Sequence, residues 1–99
     1  MNMAKKTQHK KVQASFTVIN RMGLHTRPST ELVRCASAFK AEVTLTYQKT
    51  TVNAKSLLGI LMLAAVCGAK IHVKAEGIDA AKAVKSLLEL AKDQFHIQY

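Results

Sequence analysis

Four stretches of this chain alternate apolar and polar residues with period two, two others repeat apolar residues at helical spacing, and one more is apolar on every side. Val12, Ala14, Phe16 and Val18 alternate with Gln13, Ser15 and Thr17, which predicts a first strand over residues 12–19 with one wet face. Leu32, Cys35, Ala36 and Phe39 then share one face of a helix that the spacing starts near residue 28. Val43, Leu45 and Tyr47 alternate with Glu42, Thr44, Thr46 and Gln48 in a second strand. Lys49-Thr50 is the expected turn into a short third strand over residues 51–54. Ser56 suits an N-cap, residues 57–66 are apolar on every side, and Gly68 is the expected stop for that helix. Ile71, Val73 and Ala75 alternate with His72 and Lys74, Glu76-Gly77 turns the chain, and Asp79 is expected to cap a helix striped by Ala80, Val84, Leu87, Leu88, Ala91 and Phe95. The order is βαββαβα. Strands with one polar face and helices that share the other predict an α+β open-faced sandwich.

Ninety-nine residues suffice for one domain with its own core. The apolar run over residues 57–67 is broken by Gly59 and falls far short of the ~20 residues of a spanning helix, so no membrane insertion is expected. Polar Thr7, Gln8, His9, Lys10 and Lys11 stand where a secretory signal would be apolar, which predicts a cytoplasmic protein. Cys35 and Cys67 are too few and too far apart for a disulfide framework or a zinc site, and are expected as buried free thiols on helical faces. No metal or cofactor is expected.

The formal charge of +9 changes the picture of partners. Lys5, Lys6, Lys10 and Lys11 lie ahead of the first strand, so residues 1–11 are read as a flexible basic tail and 12–99 as the domain. The milder excess that remains suits an acidic protein surface. A small basic RNA-binding domain is the competing class. It lacks Gly-x-x-Gly, and Phe16 and Tyr47 fall on the apolar alternation, not on a stacking face, so no nucleic acid is expected.

The candidate chemistry sits at Gly23-Leu24-His25-Thr26-Arg27-Pro28, where the first strand gives way to the first helix. Amides at a helix start lack intrahelical partners, and the helix dipole adds partial positive charge, so an anion on or beside His25 is stabilised. Arg27 offers a planar fork of donors suited to phosphate oxygens. These residues suit a histidine that accepts a phosphoryl group. His9, His72 and His96 have no ligand spacing and are read as inert.

The motif resembles the active-site signature of HPr, the histidine-containing phosphocarrier family of the bacterial phosphoenolpyruvate-dependent sugar phosphotransferase system. A second stretch, Val52-Asn53-Ala54-Lys55-Ser56-Leu57-Leu58-Gly59-Ile60-Leu61, resembles the family's regulatory serine and the helix after it. The similarity runs from about Val12 to Phe95. The resemblance implies a four-stranded antiparallel sheet with three helices on one face, and His25 already at the helix cap with Arg27 inside, although the residue before a proline is biased away from helix. It implies a carrier, not an enzyme, with His25 Nδ1 as the phosphorylated atom, the Thr26 and Arg27 amides and the Arg27 guanidinium on the phosphoryl oxygens, and Ser56 as a site of regulatory phosphorylation. Implied partners are Enzyme I as donor, EIIA domains as acceptors and an HPr kinase/phosphorylase at Ser56, all meeting a monomer. Leu57, Leu58 and Leu61 are candidate docking residues, with Arg34, Lys55 and Arg21 as a candidate basic rim. A regulatory, nitrogen-linked branch of the same system is the alternative role. Met22, where small or polar residues are commoner, is expected to put an apolar side chain beside the active ring, and Ser29, where alanine is usual, a hydroxyl near the phosphate amides.

Overall fold

The structure, a computed structural model, describes residues 10–99. It contains β1 (Lys10–Thr17), α1 (Thr26–Ser37), β2 (Glu42–Tyr47), β3 (Thr50–Asn53), α2 (Leu57–Met62), β4 (Lys70–Gly77) and α3 (Ala80–Lys92), followed by a turn at Gln94–His96. The strands form one antiparallel sheet in the order β1-β4-β2-β3. The crossover from β1 through α1 to β2 leaves a gap that β4 fills, so both central pairings join residues far apart in sequence. The three helices cover one face, as the open-faced sandwich requires.

Burial follows the alternation. Val43, Leu45, Ile71, Val73 and Ala75 point under the helices and are at most 1% exposed, while Glu42, His72, Lys74 and Glu76 stay wet. Leu32 and Ala36 from α1, Ile60 from α2 and Leu87 from α3 close the core, all at 0%. Phe16 meets Phe95 edge to face at 5.9 Å. The open face therefore carries no exposed aromatic ring among the described residues: Phe16 lies in the core and Tyr47 is half-buried against it.

Several boundaries differ from the sequence expectation, each for a local reason. β1 begins at Lys10, so Lys10 and Lys11 belong to the sheet, and Lys11 sits opposite Glu76, which also faces Glu42 across β2. An opposite charge there offsets the like-charge pair. The rest of the expected tail lies outside the described residues. The β2–β3 turn is Gln48-Lys49, one residue earlier than expected, with Gln48 at φ 57°. β4 runs through Gly77, whose φ of 148° and approach to Ala41 (a Cβ would lie 2.8 Å from its Cα) demand glycine.

The second helix is much shorter than its apolar run. It ends at Met62, with Ala64 at φ 52°, and the turn that follows carries Leu63 and Ala65 into the core while Met62 and Val66 stay exposed. Cys67 consequently lies in an exposed turn and not on a buried helical face. Cys35 is half-buried on α1, and burial pushes its thiol pKa up. Asp79 does not make the side-chain cap expected of it: it stands at the N-terminus of α3, but its carboxylate is turned to another loop. Its carboxylate accepts from the Lys40 and Ala41 main-chain N–H groups at 2.9 and 2.8 Å and closes the α1–β2 loop.

Candidate functional site

The loop from Val18 to His25 is held rigid before the histidine appears. Val18 exchanges main-chain hydrogen bonds with Ala69 (2.8 Å) and Gly68 (2.7 Å). Gly23 donates to Asn20 O at 2.9 Å, and Leu24 donates to Ala65 O at 2.9 Å. Gly23 has φ 72°, and a Cβ there would stand 2.5 Å from Ala65 O, so the turn needs glycine for its backbone and for the space.

His25 is the N-cap of α1, in extended conformation (φ −79°, ψ −171°), and makes no side-chain cap bond. Helix α1 starts at Thr26, ahead of buried Pro28, with Arg27 already helical despite the proline after it. This is the boundary that the family pattern implied. Pro28 has no N–H, and the first-turn amides of Thr26 and Arg27 have no intrahelical acceptor, so the helix start is left open to an anion. Ser29 departs from expectation. It is fully buried, and its hydroxyl donates to Leu24 O at 3.0 Å, so it pins the loop and adds no donor for phosphate.

The imidazole is fixed from the far end of the chain. His25 Nε2 lies 3.2 Å from the Tyr99 main-chain oxygen, which can only accept, so in the neutral ring this contact favours the tautomer with its proton on Nε2 and its lone pair on Nδ1. The Tyr99 ring stacks on the imidazole with centroids 5.4 Å apart and planes at 20°. Arg27 Nη1 donates to the Tyr99 hydroxyl. The guanidinium is 5.7 Å from the ring centroid, near the ~6 Å limit of a cation–π contact.

The return of residues 94–99 depends on Asn20, which is 0% exposed. Its Nδ2 faces Gln94 O (2.9 Å), Ile97 O (3.0 Å) and Tyr99 O (3.3 Å). Two hydrogens cannot serve three acceptors fully, and the longest of the three is the shared one. The Oδ1 atom is buried without a protein partner. Exchanging the amide O and N would set an acceptor against three acceptors, so this orientation is the one the surroundings allow. Gln94, Phe95 and His96 take φ of 53°, 56° and 64° in succession. Left-handed geometry costs a non-glycine residue about 1–2 kcal/mol, here offset by full burial of Phe95 and by the Asn20 bonds. His96 Nδ1 donates to Asp93 Oδ2 at 2.6 Å on the outside of the same turn.

With this geometry in hand, a model of the family described as PTS HPr component phosphorylation site matches residues 12–93. The chain belongs to the HPr family. A phosphocarrier protein HPr from Neisseria meningitidis (serogroup A, strain Z2491) is 39% identical over 84 residues, which cover 85% of this chain and 94% of that protein. Among solved structures, HPr-C-His from Thermoanaerobacter tengcongensis superposes with a TM-score of 0.84 at 32% identity, covering 89% of this chain and 99% of that one. A structure described as an HPr dimer from the same organism gives 0.70 at 35% identity, covering 81% and 92%. As a member of this family the chain is a phosphocarrier of the phosphotransferase system, a carrier and not a general catalyst.

The second HPr motif is laid out differently. Ser56 caps α2 in extended conformation, and its hydroxyl accepts from Gly59 N–H at 3.0 Å. Leu58 stands out at 69% exposure, whereas Leu57 and Leu61 are half-buried. Of the basic rim, Lys55 is already used: its Nζ donates to Phe39 O at 2.8 Å just beyond the end of α1. Arg34 is exposed but lies seven residues beyond Arg27, about 10 Å along the helix, and pairs with Glu31 at 3.3 Å. Arg21 is exposed in the loop before His25.

Sequence reasoning missed Asn20 and Tyr99, whose roles arise only from a contact across more than 70 positions. Ile19 was not singled out either; with Met22, Leu58, Met62 and Val66 it is among the exposed large apolar residues. A groove of about 650 Å³ between β1 and α3, lined by Phe16, Ile19, Val84 and Leu88, lies apart from His25 and holds no candidate residue. No helix among the described residues is long and apolar enough to cross a membrane, and no three metal-ligating side chains converge there.

Proposed function

We propose that His25 carries the phosphoryl group on Nδ1, taking it from phosphorylated Enzyme I and yielding it to EIIA domains of sugar permeases. The observation that supports this most directly is the Nε2 contact with an oxygen that can only accept, since it leaves Nδ1 as the nucleophile. The open amides of Thr26 and Arg27, and the Arg27 guanidinium once it turns, stabilise the phosphoryl oxygens. The grip is modest because the site is at the surface, which suits a group that must be passed on.

Docking uses the exposed side chains of Leu58, Met62, Val66, Met22 and Ile19 and the half-buried edges of Leu57 and Leu61. Exposed apolar side chains of this size each forgo about 1.5–3 kcal/mol of burial, which a partner surface recovers. Arg34 adds charge at the margin, and Lys55 serves the fold instead. Ser56 is the site of an HPr kinase/phosphorylase, and a phosphate there acts on docking by repulsion and by covering Leu58. The carrier works as a cytoplasmic monomer, with neither nucleic acid nor membrane as a partner.

The test is incubation with Enzyme I and phosphoenolpyruvate, followed by mass spectrometry at neutral and acidic pH. The wild type gains one acid-labile phosphoryl group and His25→Ala gains none. Acid-labile labelling of His25→Ala would overturn the assignment.

A further inference from the structure

The sheet has two edges, and they are finished differently. β3 is a short edge of four residues, whereas β1 presents eight. Val18, one residue beyond β1, turns its N–H and its carbonyl toward Ala69 and Gly68, on the β4 side. Main-chain groups of successive residues in a strand point to opposite sides, so those of Gln13, Ser15 and Thr17 face away from β4, where no strand among the described residues pairs with them. The helix layer also stops short on this side. Inward residues of the central strands, such as Val43 and Val73, are at most 1% exposed, but Val12 and Ala14 of β1 are only half-buried. Toward the C-terminal end of β1, the edge and α3 enclose the groove of about 650 Å³, with Phe16, Ile19, Val84 and Leu88 as its apolar lining. Ser15 and Thr17 line it too, so apolar surface and unpaired main chain lie side by side.

The geometry points to this edge as a docking site for an extended acidic segment of another protein, added beside β1 as a further strand with its apolar side chains in the groove. Charge decides the occupant. α3 brings Lys85 and Lys92 to the groove against one acid, Glu89. On the open face of the sheet, Lys70 and Lys74 stand opposite Thr17 and Gln13. All four lysines are exposed. A second copy of the chain would bring the same lysines to the contact, and lysines along an edge resist such self-pairing.

A strand that alternates carboxylates with apolar residues meets the edge on three counts. Its main chain pairs with Gln13, Ser15 and Thr17, and its apolar side chains enter the groove on one face. Its carboxylates, on the other face, stand on the side of Lys70 and Lys74, while Lys85 and Lys92 flank the groove. His25 and Arg27 do not line this surface, so the inference is independent of the role proposed for His25.

The test is a titration of the full chain, labelled with ¹⁵N, with a short acetylated and amidated peptide alternating glutamate with valine, and with the same peptide carrying lysine for glutamate. The glutamate peptide should shift the amide resonances of Gln13, Ser15 and Thr17 at about 1 mM or below and slow their hydrogen exchange about tenfold, and the lysine peptide should do neither. Ser15→Pro removes one outward donor at a position where an edge strand tolerates proline, and should weaken binding about tenfold. Lys85→Gln together with Lys92→Gln changes only exposed positions of α3, so it decides the matter even if Ser15→Pro fails to fold; it should weaken binding about fivefold. Equal shifts with both peptides, shifts confined to α3, or none at about 1 mM would overturn the inference. Slow exchange at Gln13, Ser15 and Thr17 before any peptide is added would show the edge already covered, by residues 1–9 if independent of protein concentration and by a second copy if it grows with concentration. Either result would also overturn it.

Discussion

Helices α1 and α2 begin alike, with an extended N-cap residue from a motif of the family, yet they treat their first amides in opposite ways. Ser56 fills the start of α2 with its own hydroxyl, donated to by Gly59 N–H at 3.0 Å. His25 leaves the start of α1 open: no cap bond from its side chain, a proline in the first turn, and the ring drawn aside to Tyr99. A filled cap stabilises a helix by about 1 kcal/mol. α1 forgoes that contribution, and what it gains is a place for an anion beside His25, the proposed phosphoryl acceptor. The functional end is thus the one where the local rule for a stable helix is not met. It stays folded because the cost is carried by other residues, chiefly Gly23, Leu24, Ser29 and Asn20.

The largest break in this comparison should come from Gly23→Ala. The substitution strains φ 72° and sets a Cβ 2.5 Å from Ala65 O, so the loop must move away from the turn after α2. A loss of about 3 kcal/mol in urea unfolding is expected, with phosphoryl acceptance down about tenfold as His25 shifts. A variant as stable as wild type would mean that the Val18–His25 loop is not the support it is taken to be.

A smaller and more selective effect is expected at the filled cap. Ser56→Ala should cost about 1 kcal/mol of stability and leave the rate of His25 phosphorylation unchanged, because the two helix starts share no hydrogen bond. Ser56→Asp keeps an acceptor for Gly59 N–H, so it should retain most of that stability while slowing Enzyme I transfer through charge beside Leu58. Equal transfer rates for Ser56→Asp and wild type would remove the regulatory role while sparing the cap.

Much of this contrast was legible in the chain itself, and the parts that were not share a cause. Alternation fixes which side of a strand is buried, so Val43, Leu45, Ile71 and Val73 were readable as core, and the Gly-Leu-His-Thr-Arg-Pro motif carried its chemistry with it. Order within the sheet was not readable, because β4 enters between β1 and β2 through contacts that no local pattern encodes. Residues 57–66 misled because a run that is apolar on every side does not mark where the chain must turn, and α2 ends at Met62 where Leu63 and Ala65 go into the core. Lys55 and Ser29 resembled site residues by position, yet Phe39 O and Leu24 O claim their donors. Tyr99 and Asn20 left no local signal at all, since a tyrosine after an amphipathic helix and an asparagine in a loop are common in any sequence.

The smallest expected effect concerns the third helix start, which resembles neither of the others. Asp79 stands before α3, but its carboxylate accepts from Lys40 and Ala41, and the Lys40 N–H in particular holds its pKa below the usual carboxylate value. A carboxyl whose folded pKa is depressed adds stability that is present above its unfolded pKa of about 3.9 and is lost as pH falls through the lower folded value. The contribution is therefore present at pH 6 and fades below about pH 4. Asp79→Asn keeps one acceptor and loses the charge, so it should be less stable than wild type at pH 6, and the gap between the two urea midpoints should narrow as pH is lowered below about 4. A gap of constant size from pH 6 to pH 3 would mean that the loop between α1 and β2 depends on the shape of this side chain and not on its charge. The carboxylate would then serve as a simple spacer, and the division of labour among the three helix starts would reduce to two.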